Sequence, residues 1–178
     1  MKVSVIGGGN GGYAAAADLT LHGHKIHFWQ RSIKNTKELA KKNNTMVIED
    51  YNGKNKVKIN KVCETIEEAI KNVKIILILL PAFAQKEISK KISSLLSEEQ
   101  IIFLPPGSFG SWIFANEARK KKKQNIYFAE SGTLPYLTRK KIAIRFPLRK
   151  ELQDFLQAFI PKINPHTSLK HLRLFIRL

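Results

Sequence analysis

The chain has 178 residues, 43% of them hydrophobic and 25% charged, which suits one substantial hydrophobic core in a globular protein. A strand-like run and glycines follow Met1 directly, so we expect no signal peptide, and no apolar run is long enough to span a bilayer. The one cysteine, Cys63, excludes an internal disulfide. We therefore expect a cytoplasmic protein that binds neither a membrane nor a metal ion. The formal net charge of +17 comes from lysines that are scattered except for the block at residues 119–123, which favours a solvated basic surface over a nucleic-acid site.

Secondary structure is predicted from apolar periodicity, β-branched runs and turn residues. In chain order the elements are a strand at residues 2–6, a helix at 12–21, a strand at 25–29, a helix at 34–43, a hairpin at 44–62, a helix at 66–71, a strand at 73–80, a helix at 83–96, a strand at 100–104, a helix at 111–123 and a strand at 126–129. The hairpin is predicted because polar and apolar residues alternate about Asn52-Gly53. Its arms carry Met46, Ile48, Val57 and Ile59.

The segment VKIILILL, at residues 73–80, is almost entirely apolar. Such a run is typical of a parallel strand covered by helices on both faces. Together with the alternation of strands and helices, it predicts an α/β fold of the Rossmann type, a doubly wound, mostly parallel sheet with helices on both faces. We assign residues 1–160 to this domain, with a further strand at 142–146 and a helix at 150–159. Residues 161–178 are expected to begin a missing second domain or to form an exposed tail.

A glycine-rich turn follows the first predicted strand and satisfies the pattern G-x-G-x-x-G. The pattern is weak alone, but between a strand and a helix it predicts a dinucleotide-binding site. Gly7 permits the tight turn, Gly9 lets the backbone approach a pyrophosphate, and Gly12 lets helix and strand pack closely. The N-terminus of the helix offers N–H groups and a partial positive charge to the phosphates. The predicted cofactor-binding residues of the turn are Gly7, Gly8, Gly9, Asn10, Gly11 and Gly12.

The end of the second predicted strand indicates which dinucleotide binds. A site for NAD(H) usually carries Asp or Glu there for the ribose 2′-hydroxyl, whereas this chain has Gln30, Arg31 and Ser32. With no carboxylate to repel a 2′-phosphate, Arg31 can meet it with a planar fork of donors. We therefore predict that these three residues bind the cofactor and that NADP(H) is preferred. The alternative is that Arg31 lies on the surface and either cofactor binds.

Four segments give the chain a resemblance to a known family. They are GGGNGGYAAAADLTLHGHKIHFWQRS at the start, LPAFAQ after the strand at 73–80, LPPGSFGS after the next strand, and ESGTLPYLTR after the last. Over about residues 1–169 the chain resembles the opine dehydrogenases, relatives of glycerol-3-phosphate dehydrogenase and ketopantoate reductase. The resemblance implies an NAD(P)-dependent enzyme that condenses an amino acid or amine with an α-keto acid and reduces the resulting imine.

The resemblance also implies further site residues in the loops after successive strands. By position, Pro81, Ala82 and Phe83 should border the cofactor, as should Pro106, Gly107 and Ser108. The segment of Thr133, Leu134 and Pro135 should lie near the nicotinamide and the entry to the substrate cleft, and Thr133 is counted among the cofactor-binding residues.

The same resemblance implies that part of the enzyme is missing from this chain. Members of the family carry a second, largely helical domain that supplies a catalytic histidine and the substrate contacts. None of the five histidines here can be assigned that role, because three cluster around the second strand and two lie near the C-terminus. We expect the isolated chain to bind cofactor but to turn over poorly or not at all; a homodimer is left open.

Three other functions remain as alternatives. The chain could be a relative of ketopantoate reductase or glycerol-3-phosphate dehydrogenase, or a stand-alone nucleotide-binding or redox-sensing module. A basic nucleic-acid binder is the least favoured and predicts steeply salt-dependent DNA binding.

Overall fold

The structure, a computed structural model, describes residues 1–50, 53–136 and 138. Within this part the strands are β1 (Lys2–Ile6), β2 (Lys25–Trp29), β3 (Thr45–Asp50), β4 (Gly53–Lys58), β5 (Lys61–Cys63), β6 (Ile75–Ile78), β7 (Ile101–Leu104) and β8 (Tyr127–Glu130). The helices are α1 (Asn10–Leu21), α2 (Ile33–Lys41), α3 (Ile66–Ile70), α4 (Ala82–Ile92) and α5 (Gly110–Lys120). None of these helices is long and apolar enough to cross a membrane.

Six of the strands form one parallel sheet in the order β5-β2-β1-β6-β7-β8. β1 lies in the middle, with Val3 opposite Ile26 of β2 on one side and Ile75 of β6 on the other. The chain winds outward from β1 to β2 and then returns to add β6 on the opposite side. This topology confirms the predicted Rossmann-type fold and places its switch point between the carboxyl ends of β1 and β6, where open α/β sheets bind ligands.

Both faces of the sheet are buried, because alternate residues of each strand enter different cores. Ile75 and Leu77 of β6 face α1 and the β3–β4 hairpin, whereas Ile76 and Ile78 face α3, α4 and α5. All four of these side chains are at most 1% exposed. The uninterrupted apolar sequence of β6 is therefore explained by helices on both sides.

The predicted hairpin is confirmed in part. β3 and β4 pair antiparallel, and Met46, Ile48, Val57 and Ile59 are all buried in the core that contains α1. The prediction was wrong about the end of this segment. The hairpin stops at Lys58, and residues 61–63 form β5, which pairs with β2 in the parallel sheet. A short apolar run next to a free strand edge gains more by extending the large sheet than by lengthening an isolated ribbon.

Several predictions fall outside the described residues. These are the strand at 142–146, the helix at 150–159 and the domain boundary between residues 160 and 161. Cys63 is described: it lies fully buried at the end of β5, and burial raises the pKa of its thiol to about 12. A neutral, buried thiol is unreactive, so Cys63 has a structural role in the core.

Two half-buried histidines give the fold a pH dependence. Burial is the main cause of a lowered pKa at both His24 and His27; the N-terminal amino group adds to it at His24, and Lys61 adds to it at His27. The unfolded chain therefore takes up these protons at higher pH than the folded chain does. We expect stability to be unaffected by these groups well above pH 6.5 and to fall as the pH drops through 6.5 towards the lower folded values.

Denaturant unfolding at about pH 7.5 and about pH 5.5 measures this effect. The unfolding midpoint should be lower at the acidic pH, and the double variant His24→Gln/His27→Gln should show a smaller difference between the two. An unchanged pH difference in the double variant would contradict the assignment to these imidazoles.

Candidate cofactor site

The turn between β1 and α1 is made of glycines with different roles. Gly7 has a φ of +143° and donates its backbone N–H to the carbonyl oxygen of Trp29 at 2.9 Å. A β-carbon on Gly7 would meet the backbone carbonyl of Leu79, whose carbon lies 3.0 Å from that position. The left-handed φ and the close approach both require glycine. The turn is thereby fixed between the ends of β2 and β6.

Gly12 is needed for packing rather than for its backbone angles. A β-carbon there would run into the carbonyl group of Gly7, whose carbon lies 2.7 Å from that position. The first turn of α1 therefore packs directly on the backbone of the glycine turn, which is the helix–strand contact that the motif predicts.

Gly9, by contrast, faces open space. It is exposed, its backbone is extended (φ −81°, ψ −176°), and a β-carbon there would meet nothing within 4 Å. It is the N-cap of α1, whose first turn carries no acidic residue. The N–H groups and the positive dipole end of a helix N-terminus attract anions, so the space beside Gly9 has both the room and the polarity for a phosphate.

A cleft of about 290 Å³ opens beside this turn, at the switch point of the sheet. It is lined by the segments that follow β1, β2 and β6, by the first turn of α2 and by the first two turns of α4. Seven of the predicted cofactor residues line it, namely Gly8, Gly9, Gln30, Arg31, Ser32, Pro81 and Phe83. Residues from three separate stretches of sequence, after β1, β2 and β6, thus meet in one place.

The three residues after β2 differ in whether their side chains are free to contact a ligand in the cleft. Gln30 is 3% exposed, and its Oε1 accepts a hydrogen bond from the hydroxyl of Tyr13 at 3.1 Å. Its buried Nε2 has no hydrogen-bond partner among the described residues. Ser32 caps α2 by accepting the backbone N–H of Asn35, so its hydroxyl has a structural role. Arg31 is exposed at the mouth of the cleft and makes no ion pair within the described part of the chain.

A carboxylate that the sequence did not suggest shares this cleft. Glu87, in the second turn of α4, lines it opposite Arg31 and binds Lys91 with an Oε1–Nζ distance of 2.6 Å. The hydrogen bond from Lys91, its charge and the charge of Arg31 lower the pKa of Glu87. The expectation that no carboxylate is available near the end of β2 was therefore incomplete. The i,i+4 spacing of Glu87 and Lys91 marks an exposed helix face but does not reveal what that face borders.

The remaining predicted residues lie outside the cleft lining. Asn10 is exposed in the first turn of α1, Gly11 lies beneath Leu134, and Ala82 is exposed at the start of α4. Thr133 is exposed, and its carbonyl oxygen accepts a hydrogen bond from Ser131 Oγ at 2.8 Å.

The segment of Pro106, Gly107 and Ser108 leads into the N-terminus of α5, where a carboxylate of the protein itself already binds the backbone N–H groups. Glu130 accepts hydrogen bonds from the backbone N–H groups of Phe109 (3.2 Å) and Ser111 (2.9 Å), at the N-terminus of α5. Gly107 packs against the Glu130 side chain, so its lack of a β-carbon serves this cap. In this geometry α5 does not present a free helix terminus to an anion.

Comparison with known proteins agrees with the fold and with the glycine turn. Residues 2–124 match the model of the NAD-dependent glycerol-3-phosphate dehydrogenase N-terminus, and the chain therefore belongs to that family. That family model describes a dehydrogenase N-terminus, and the chain is also homologous to opine dehydrogenase and to glycerol-3-phosphate dehydrogenase [NAD(P)+].

This chain aligns with only part of each individual relative. An opine dehydrogenase from Arthrobacter sp. (strain 1C) is 33% identical over 122 residues, which is 68% of this chain and 33% of the relative. A glycerol-3-phosphate dehydrogenase [NAD(P)+] from Clostridium acetobutylicum is 35% identical over 102 residues, or 56% of this chain and 30% of the relative. An octopine dehydrogenase solved with NADH and agmatine shares the fold, with a TM-score of 0.69 and 19% identity over 84% of this chain and 40% of that one. The chain thus spans about a third of the curated relatives that it matches.

Proposed function

We propose that this chain binds NADP(H) and is the cofactor-binding part of an oxidoreductase of the opine dehydrogenase type. The observation that carries the proposal is the single cleft shared by the open face of Gly9 and the side chain of Arg31. Two features fit a dinucleotide. The space beside Gly9 is what a pyrophosphate needs. The Nε2 of Gln30, which has no hydrogen-bond partner in the part of the chain that the structure describes, offers a buried donor beside it.

Each part of the cofactor has residues that would hold it. The N-terminal turn of α1, with Gly8, Gly9 and Asn10, would bind the pyrophosphate. Arg31 would hold the 2′-phosphate at the adenosine end, where its side chain lies beside Ser32. When bound, the reduced nicotinamide supplies a hydride. Pro81 and Phe83, which line the same cleft as Arg31, and Ala82 between them would border the cofactor there. The segment that contains Thr133 would border it on the other side of the turn.

The substrate class is inferred from relatives. The Arthrobacter opine dehydrogenase supports the reductive condensation of an amino acid or amine with an α-keto acid, and octopine dehydrogenase has been solved with agmatine, L-arginine and pyruvate. The match of residues 2–124 favours a second candidate, the reduction performed by a glycerol-3-phosphate dehydrogenase. No catalytic residue is assigned to the described part of the chain. We propose that the 178-residue polypeptide binds cofactor and turns over weakly or not at all.

The cofactor preference is tested by titrating the chain with NADPH and NADH. Loss of a charge-assisted bond costs about 1.5–3 kcal/mol, so Arg31→Ala should weaken NADPH binding roughly ten- to hundredfold. It should change NADH binding by less than about twofold, because NADH lacks the phosphate that the guanidinium meets. Glu87→Gln should strengthen NADPH binding, since it removes a negative charge that faces the same group.

Lys37→Ala is the matched control for this titration. It also removes one positive charge, from the exposed surface of α2 and outside the lining of the cleft, and it should leave both affinities unchanged. The preference for NADP(H) is refuted if NADH binds the unsubstituted chain as tightly as NADPH does, or if Arg31→Ala leaves NADPH binding unchanged.

A further inference from the structure

A buried hydrogen bond joins two parts of the chain that are far apart in sequence. The hydroxyl of Tyr136 donates to Oδ2 of Asp18, on α1, at 3.1 Å, and the two residues are 118 positions apart. Tyr136 is 2% exposed and Asp18 is 1% exposed. Asp18 also contacts His22 Nδ1 at 3.3 Å, so the buried carboxylate has a second polar neighbour on α1.

Residues 131–135 form a loop that follows β8, and Tyr136 comes directly after this loop. At its start the loop is tied to the neighbouring strand end, because Ser131 donates its N–H to the carbonyl of Leu104 and accepts the N–H of Gly107. At its far end the bond to Asp18 brings it to α1. Between these two anchors, Leu134 Cδ1 lies 3.1 Å from where a β-carbon of Gly11 would be. The loop thus crosses back from the edge of the sheet to cover the first turn of α1.

α1 makes a second buried tyrosine contact, towards the opposite side of the turn. Tyr13 donates to Gln30, beside the residues proposed to hold the adenosine end. A dinucleotide whose pyrophosphate lies at Gly9 and whose adenosine half lies at β2 must extend its other half across β1 towards β6 and β7. That is the side from which the loop of residues 131–135 approaches.

We propose that Tyr136 is a positioning residue: its hydrogen bond to Asp18 holds the loop of residues 131–135 against Gly11 and so forms a wall for the nicotinamide half of the cofactor. This inference rests on the proposed function. Desolvation and the neighbouring Asp18 raise the pKa of the Tyr136 hydroxyl well above its ordinary value, so the hydroxyl keeps the proton that it donates. Release of the loop would leave the buried Asp18 carboxyl without its Tyr136 partner, and the cost of an unsatisfied buried polar group favours the docked position of the loop.

The test compares the affinity for whole cofactors with the affinity for fragments that lack the nicotinamide. Tyr136→Phe keeps the buried ring and removes only the hydroxyl. Its affinity for NADPH and NADH should fall roughly five- to tenfold, whereas its affinity for the matching fragments without nicotinamide, 2′-phospho-ADP-ribose and ADP-ribose, should change by less than about twofold. A merely structural role would weaken the whole cofactors and the fragments alike.

Two further variants complete the experiment. Tyr13→Phe removes a comparable buried hydroxyl from the adenosine side, and it should weaken whole cofactors and fragments by the same factor. Leu134→Ala leaves the Asp18–Tyr136 bond in place but removes the side chain over Gly11, so it should reproduce the selective loss even if Tyr136→Phe lowers stability. Equal changes for cofactor and fragment in a folded Tyr136→Phe variant would overturn the inference, as would equal changes in Leu134→Ala or a selective loss in Tyr13→Phe. If the unsubstituted chain binds neither cofactors nor fragments, the proposed function itself fails.

Discussion

Replacement of Gly12 with alanine is expected to destabilise the fold by about 3 kcal/mol or more, the upper end of what overpacking usually costs. The added methyl group would run into the carbonyl group of Gly7. Neither side can yield easily, because Gly7 is fixed by its N–H bond to Trp29 and by its contact with Leu79, and α1 is buried along the alanines after Tyr13. Relief would require α1 to move away from the sheet.

Chemical denaturation monitored by circular dichroism measures this loss. Gly132→Ala is the matched control: a β-carbon there would meet nothing within 4 Å, and the residue has no left-handed φ. That variant should stay within about 0.5 kcal/mol of the unsubstituted chain. If Gly12→Ala were as stable as Gly132→Ala, the backbone contact between α1 and the glycine turn would not exist in solution.

Replacement of Gly9 with alanine is expected to weaken nucleotide binding while leaving the stability of the fold almost unchanged, in contrast to Gly12→Ala. The new methyl group would project into open space, so the stability of the ligand-free chain should change by no more than about 1 kcal/mol, the usual effect of an N-cap substitution. The same methyl group would occupy the space proposed for the pyrophosphate. Nucleotide affinity should therefore fall roughly ten- to hundredfold, the equivalent of a steric conflict of about 1–3 kcal/mol.

Calorimetric titration of Gly9→Ala with NADPH and NADH provides the measurement, with denaturant unfolding of the same sample as its control. Both cofactors should lose affinity equally, because the pyrophosphate is common to them, whereas Arg31→Ala acts on NADPH alone. Undiminished binding of both cofactors to a folded Gly9→Ala variant would show that the pyrophosphate does not lie beside Gly9 and would refute the proposed geometry.

Local patterns were enough to predict the fold and the centre of the candidate site. The β-branched run before Gly7, the alanine-rich helix after Gly12 and the apolar strand at 75–78 each carry their structure in a few neighbouring residues. The sheet order then follows from the rules that govern crossovers between parallel strands. Gln30, Arg31 and Ser32 could be placed beside the turn because β2 must end where β1 ends.

Contacts between distant segments could not be predicted in the same way. The pairing of residues 61–63 with β2 depends on an edge that exists only once the sheet has formed. Glu87 gives no sign in the sequence that its helix face borders Arg31, and Glu130 gives no sign that it caps α5. The bond between Asp18 and Tyr136 spans most of the described chain. Both residues lie in segments that carry the family resemblance, but nothing in those segments indicates that the two side chains meet.

The backbone contact between Gly7 and Gly12 also bears on the energetics of binding. A turn held by main-chain contacts on both sides has little freedom to lose when a ligand arrives, so the proposed pyrophosphate site is preorganised and its occupation costs little conformational entropy. Differences in affinity between ligands that share a pyrophosphate would then arise at the two ends of the molecule. Substitutions of residues at those ends should change the relative affinities for different dinucleotides without changing the rate constant of association.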